Sequence, residues 1–297
     1  MKLTEKLKAK ADVARDISYA SSAVTRPGRA VIRTLENVTG RPRLIRRAKG
    51  YADDVANGLD FWQVMVDRYG VKLDIKGGAL ENLPKEGPLV VVANHPFGIL
   101  DGLIFGHILQ QMRGDFRIIA HRVFRKAEDL NKIILPISFD DTREAMRLNT
   151  ETRQTAIQYL KEGGCIGIFP GGTVSTAPRP FGKAMDPVWR NFTARMIQKS
   201  GATVVPIYFE GANSRLFQVA SHMHVTLRMS LMIREFKKSI RKSVPMVIGD
   251  PVPQNELDHY ANDATALMDF LRRKTYELSP TPLANLDHGF EFMEQYR

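Results

Sequence analysis

The most apolar stretch of the chain, residues 88–109, is long enough to span a bilayer, yet Asn94, His95, Pro96 and Asp101 interrupt it. Each of these groups is costly in hydrocarbon, which argues against a membrane span. A buried strand, a polar turn and a helix account for the stretch instead. Leu89-Val-Val-Val-Ala93 suits a central strand covered on both faces, and Leu103, Ile104, Ile108 and Leu109 make an apolar stripe beyond the turn. The same alternation recurs downstream. Strands are expected over 71–75, 117–120, 133–139, 165–169, 203–209 and 245–248. Helices are expected over 103–112, 142–161, 187–200, 215–238 and 263–278. Strands alternating with helices predict an α/β fold, a mostly parallel central sheet flanked by helices.

Before residue 71 the pattern is different. Val55, Leu59, Trp62, Val66 and Tyr69 predict one amphipathic helix ended by Gly70, and Leu3, Leu7, Ala11 and Ala14 make a weaker helical stripe. Pro27, Gly28, Gly40 and Pro42 read as punctuation of a basic connector. The expected organisation is a basic arm and N-terminal helical layer (1–70), an α/β domain (71–250), and a C-terminal helix and tail (251–297). With 297 residues, 43% of them apolar, the chain has material for a real core.

Charge is unevenly placed. Of the net +11, residues 1–50 carry +9, with 13 basic residues against 4 acidic. A basic arm on a nearly neutral body suggests a polyanionic partner, nucleic acid or an anionic membrane surface. Neither a Gly/aromatic RNA-binding signature nor zinc-finger spacing is present, so nucleic acid is the weaker reading. No apolar leader core follows the N-terminus, and a secretory signal is not expected. Cys165, the sole cysteine, rules out an internal disulfide and fits a reducing compartment. It reads as a small core residue. His222-Met-His224 is a poor metal pair, because side chains two apart on a helix diverge.

Two turns carry the chemistry. The first, Asn94-His-Pro-Phe-Gly-Ile-Leu-Asp101, follows an apolar strand directly. His95 is a candidate general base, since neutral imidazole offers a lone pair to a substrate proton. Asp101 either orients that imidazole or caps the helix that begins there. No Gly-x-Ser-x-Gly elbow is present, so a serine-hydrolase triad is not indicated. The second turn, Phe169-Pro-Gly-Gly-Thr-Val-Ser175, also ends an apolar strand. Gly171 and Gly172 permit close backbone approach, and Thr173 and Ser175 add hydroxyls, a composition suited to cradling an anion or a carbonyl oxygen.

Together, in this order and about 75 residues apart, the two turns resemble the first and third motifs of the glycerolipid acyltransferase superfamily, Asn-His-x4-Asp and Phe-Pro-Glu-Gly-Thr-Arg-Ser. Residues 117–143 are similar to its second block, and Thr203-Val-Val-Pro-Ile-Tyr-Phe209 to its fourth. The His-Pro-Phe-Gly turn and Phe209-Glu-Gly-Ala-Asn-Ser-Arg-Leu-Phe217 look more like the hemolysin-like branch, related to acyltransferases of ornithine-type lipids.

Three departures stand out. Five residues, not four, separate His95 from Asp101, and Gly171 and Val174 replace the glutamate and arginine of the third motif. Those missing groups help hold an acceptor phosphate, so lysophosphatidate is not the expected acceptor.

The resemblance implies transfer of a fatty acyl group from acyl-CoA or acyl carrier protein to a lyso-lipid hydroxyl, with His95 as base and Asp101 orienting it. It implies no metal and no cofactor beyond the acyl donor. Asn94, Gly171, Gly172, Thr173 and Ser175 are expected to bind substrate. Glu210 is expected to meet an acceptor amine, and Arg122 or Arg215 an acceptor carboxylate or phosphate. A catalytically degenerate lipid binder is the alternative.

Residues 215–242 bear on membrane contact. Leu216, Ala220, Met223, Leu227 and Leu231 form an apolar stripe, and Arg215, Arg228, Arg234, Lys237, Lys238, Arg241 and Lys242 a basic side. This reads either as an interfacial helix on anionic lipid or as a core helix with a solvated face. The expected location is peripheral, on the cytoplasmic face of the inner membrane.

Overall fold

The computed structural model describes residues 18–20, 23, 25–122 and 128–292. The stripe at Leu3, Leu7, Ala11 and Ala14 lies outside them. Residues 25–70 are more helical than a punctuated connector. Pro27 and Pro42 sit in the first turns of α1 (Arg26–Thr39) and α2 (Arg41–Ala48), where their missing N–H is no loss. Thr25 caps α1 through its hydroxyl, and Gly40 separates the two helices. The single helix expected around residues 55–69 is two, α3 (Tyr51–Ala56) and α4 (Phe61–Tyr69). Asp60 starts α4 by accepting from the Gln63 amide, which leaves Leu59 exposed between the helices.

Among the described residues, β1 (Lys72–Gly77), β2 (Leu89–Ala93), β3 (Arg117–His121), β4 (Ile134–Ile137), β5 (Cys165–Ile168), β6 (Thr203–Phe209) and β7 (Ser243–Ile248) form one sheet. Its order is β1-β7-β6-β2-β5-β3-β4. Neighbours pair in parallel except β6 and β7. The remaining helices are α5 (Ile99–Arg113), the short α6 (Glu128–Asn131), α7 (Arg143–Lys161), α8 (Asn191–Ser200), α9 (Arg215–Met223), α10 (Val225–Ser239), α11 (Gln254–Asp258) and α12 (Ala264–Glu277). The molecule is therefore an α/β fold with a mostly parallel sheet between two helical layers.

The strand β2 shows why. All five of its residues are buried, and they alternate between two cores. Leu89, Val91 and Ala93 join the core beneath α4, α5 and Phe236 of α10, and Val90 and Val92 join the core beneath α7, α8 and α12. Because β2 pairs in parallel with β5 on one side and β6 on the other, three strands end together. Their C-terminal edge receives the His95 turn, the Gly171–Gly172 turn and Glu210.

Two helices differ from expectation. The stretch 215–238 is two helices, because His224 is extended (φ −165°, ψ 138°) and its Nδ1 accepts from the Thr226 amide to cap α10. Residues 187–190 are not helical, and α8 begins at Asn191.

Close packing seats α5 on both neighbours. A Cβ on Gly167 would stand 2.5 Å from Phe105, and a Cβ on Gly106 would stand 2.3 Å from the Trp62 ring. Both glycines thus hold the helix against the sheet and α4 at backbone distance. Gly106→Ala is expected to cost about 1–3 kcal/mol, because the buried indole has nowhere to move. Urea denaturation measures it, and an unchanged midpoint would show that Trp62 yields freely.

Candidate active site

The first turn is built around one buried carboxylate. Asp101 is fully buried in the first turn of α5, and its Oδ2 accepts from the amides of Phe97 (2.7 Å) and Gly98 (2.9 Å). Those bonds cap the helix N-terminus, where a negative charge is favoured. The same Oδ2 lies 3.1 Å from Nδ1 of His95. The two readings of Asp101, helix cap and partner of the histidine, thus describe one oxygen. Burial pushes the Asp101 carboxyl above its ordinary range, and the nearby imidazole and the two amides oppose that shift.

His95 is held on several sides. Its amide donates to Asp186 Oδ1 (3.2 Å) and its carbonyl accepts from the Ser175 amide (2.8 Å). Its ring stacks on Phe169, centroids 4.1 Å apart and planes 23° from parallel. Nδ1 is sealed inside, so the exposure that the ring keeps belongs to its other edge. A carboxylate facing Nδ1 favours the proton there and leaves Nε2 as the acceptor.

The second turn is tied to the first. Gly172 takes the left-handed region (φ +70°), and its amide donates to the Phe169 carbonyl (3.0 Å). That amide closes the turn and is not offered to a ligand. The Gly171 and Thr173 amides remain as donors. Ser175 is buried, and its hydroxyl donates to Asp186 Oδ1. That bond ties the second turn to Asp186.

Asp186 is the residue that sequence reasoning missed. Fully buried, it accepts from His95 N, from Ser175 Oγ and from Trp189 Nε1 (2.9 Å). Its own amide donates to the Tyr276 hydroxyl (2.8 Å), and its carbonyl accepts from Gly289 N (2.8 Å) and Arg272 Nη2 (3.2 Å). It stands in an irregular stretch with no periodic signal, where an aspartate before a proline reads as an ordinary loop residue.

The other expected site residues fall in different places. Asn94 is buried, and its side chain makes a two-way bond with Phe209, Nδ2 to the carbonyl (2.9 Å) and the amide to Oδ1 (2.7 Å). It clamps the ends of β2 and β6 together. Arg122, at the end of β3, pairs with Asp140 at 3.0 Å with both side chains half exposed. Glu210 is half-buried beyond β6, and its charge adds to that of Asp74, whose bond to Lys76 is the main cause that raises the Lys76 ammonium. Arg215 is exposed on the first turn of α9.

Arg228 belongs to no basic surface. It is buried under Phe217 and Phe292, and its guanidinium donates to Thr173, Val174, Thr176 and Ser221. Cys165 is buried, its thiol pushed up to about 12. Among the described residues no three of His, Cys, Asp and Glu gather as metal ligands.

Asp186→Ala removes the acceptor of three buried donors and is expected to destabilise the protein by about 3–5 kcal/mol. Urea unfolding followed by Trp189 fluorescence tests this. A loss below about 1 kcal/mol would mean that the two turns hold together without it.

Comparison with known proteins identifies the family. The acyltransferase family model matches residues 57–285. A lyso-glycine lipid O-acyltransferase of Phocaeicola vulgatus is 27% identical over 213 residues, 68% of this chain and 71% of that protein. Its namesake in Bacteroides thetaiotaomicron is 26% identical, covering 68% and 73%. A 1-acyl-sn-glycerol-3-phosphate acyltransferase of Borreliella burgdorferi is 26% identical over 49% of this chain and 54% of its own. The crystal structure of the 1-acyl-sn-glycerophosphate (LPA) acyltransferase PlsC from Thermotoga maritima aligns over 86% of this chain and 89% of its own, with 18% identity and a TM-score of 0.45. The chain belongs to the acyltransferase family, within the glycerolipid acyltransferase superfamily that its two turns resemble, and it is an acyltransferase enzyme.

Proposed function

We propose that this enzyme transfers a fatty acyl group from a thioester, acyl-CoA or acyl carrier protein, to the hydroxyl of a lyso-lipid, with His95 as general base. The observation that carries the reading is the buried Asp101 carboxylate 3.1 Å from His95 Nδ1, at the shared edge of three parallel strands. The names of the two relatives that span two thirds of the chain support an acceptor of the lyso-glycine lipid kind. Glycine has no hydroxyl, so in such a lipid the hydroxyl that is acylated lies outside the amino acid.

Nε2 of His95 takes the proton of the acceptor hydroxyl as its oxygen attacks the thioester carbonyl. The carbon–oxygen bond forms, and the negative charge passes to the carbonyl oxygen, for which the Gly171 and Thr173 amides are the proposed donors. Collapse breaks the carbon–sulfur bond, and the imidazolium returns its proton to the leaving sulfur. Asp101 stabilises the imidazolium between those two transfers. No covalent acyl-enzyme is needed.

Membrane contact is part of the same reading. No helix among the described residues is long and apolar enough to cross a membrane. Met223 and Val225 are exposed at the α9–α10 junction, and Leu216 and Arg215 are exposed on the first turn of α9. Exposed apolar side chains beside cations suit shallow insertion among anionic headgroups. The expected face is that of the cytoplasm.

His95→Ala is expected to lower acyl transfer by about 10²–10⁴-fold while the urea midpoint stays near wild type. Asp101→Asn is expected to lose much of that activity too, because an amide N–H facing Nδ1 selects the wrong tautomer. Transfer from a radiolabelled thioester to lyso-lipid measures both, and undiminished transfer by folded His95→Ala would remove the base from the mechanism. Met223→Glu with Val225→Glu should weaken pelleting with anionic liposomes severalfold. Unaltered pelleting would place the docking face elsewhere.

A further inference from the structure

Among the described residues, Arg228 is a buried cation with no buried anion hydrogen-bonded to it. Only 2% of its surface is exposed. Nη1 donates to Thr176 Oγ1 (2.6 Å) and Ser221 Oγ (2.9 Å), and Nη2 to the Val174 carbonyl (2.8 Å) and Thr173 Oγ1 (3.1 Å). The guanidinium carbon lies 4.8 Å from the Phe217 ring centroid and 4.1 Å from that of Phe292. Hydroxyls, a carbonyl and two rings are all neutral. Burial pulls the guanidinium down to about 9, which still leaves it charged at neutral pH. A charge taken out of water without a counter-charge is costly, and proteins bury arginine almost always against a carboxylate or a phosphate.

Its position says where the missing anion belongs. The cation lies behind the second turn, bonded to two consecutive residues of it, Thr173 and Val174. Val174 also packs beside Gly98 of the first turn, with Met232 of α10 completing the contact. Tyr19 feels the charges of both Arg228 and Asp101. Thr173 is half-buried, unlike its neighbours Val174 and Ser175. The Thr173 oxygen accepts from the guanidinium, so its own hydrogen is available to a ligand. A hydroxyl polarised in this way is a strong donor to an anion.

We propose that Arg228, acting through the Thr173 hydroxyl, selects an acceptor lipid that carries an anionic headgroup. The inference rests on the acyl transfer proposed above and adds the acceptor's charge to it. The cation supplies the positive field, the hydroxyl supplies the contact, and a neutral acceptor gains from neither. Arg228 is thus a specificity-determining residue, not a member of the reacting set. A carboxylate, as on an N-acylated amino acid, and a phosphate, as on lysophosphatidate, share the required chemistry.

The test compares kcat/KM for an N-acylglycine lyso-lipid bearing a free hydroxyl, its uncharged glycinamide counterpart, and lysophosphatidate. Wild type is expected to prefer an anionic acceptor over the amide, and the arm with the larger ratio identifies carboxylate or phosphate. Arg228→Gln is expected to reduce that ratio about tenfold or more. Thr173→Val, which spares the cation, should do the same, and Thr173→Ser should restore it. A purely structural role would lower all acceptors alike and leave the ratio untouched.

Equal use of acid and amide by wild type would overturn the proposal, and that result needs no variant to fold. So would an unchanged ratio in folded Arg228→Gln and Thr173→Val. Transfer to none of the three acceptors would count against the activity itself and take this inference with it. Transfer without discrimination would leave the activity standing and remove only the role of Arg228.

Discussion

A single carboxylate oxygen, Oδ2 of Asp101, does two jobs at once. It accepts from the Phe97 and Gly98 amides, and so starts α5, and it faces Nδ1 of His95. The helix lies on the sheet at backbone distance, with Phe105 and Leu109 over Gly167 and the Trp62 ring over Gly106. The carboxylate is consequently as fixed as the core. A histidine whose orientation depends on a helix cap inherits the rigidity of that helix, and preorganisation of this kind is what the proposed general base requires.

The second constraint is Asp186, which joins the two turns to each other and to the C-terminal part of the chain. One oxygen takes His95 N and Ser175 Oγ, and the other takes Trp189 Nε1. Through its backbone it also engages Tyr276, Arg272 and Gly289. Burying Asp186 is tolerable because both of its carboxylate oxygens, its amide and its carbonyl find partners. The residues that hold the site are therefore drawn from positions far apart in sequence, 95, 175, 186, 276 and 289, and they converge only once the sheet and α12 are in place.

That convergence explains what the sequence could and could not disclose. The strand–turn–helix unit at 89–109 was legible because periodicity and the polar break are local. So were the Gly-rich turn after β5 and the order of strands and helices. Asp186 was illegible, since a loop aspartate has no pattern until its partners arrive. The inward bonds of Asn94 and Ser175 were illegible too, because a polar residue in a turn looks the same whether it faces inward or outward. Arg228 was read as part of a basic side because basic residues recur along 215–242. Its burial depends on Phe217, Phe292 and the second turn, and none of these is near it in the chain. The division of 215–238 into two helices was hidden too, because a histidine cap resembles any other polar residue in a helix.

The extra residue between His95 and Asp101 has a physical resolution in this fold. Five intervening residues would misplace the pair on a helix, but residues 95–98 are not helical, and α5 starts at Ile99. Gly98 adopts φ +86°, open to glycine at little cost, and a Cβ there would stand 2.3 Å from the Met232 methyl. The chain is thereby turned so that the Phe97 and Gly98 amides both reach Asp101. Phe97, meanwhile, packs against Gly211 of the loop after β6, where a side chain would collide with its ring. That contact lies beside the Asn94–Phe209 clamp. The longer turn thus gains a second anchor on β6, and the histidine and aspartate meet at 3.1 Å because the turn, not a helix, sets their geometry.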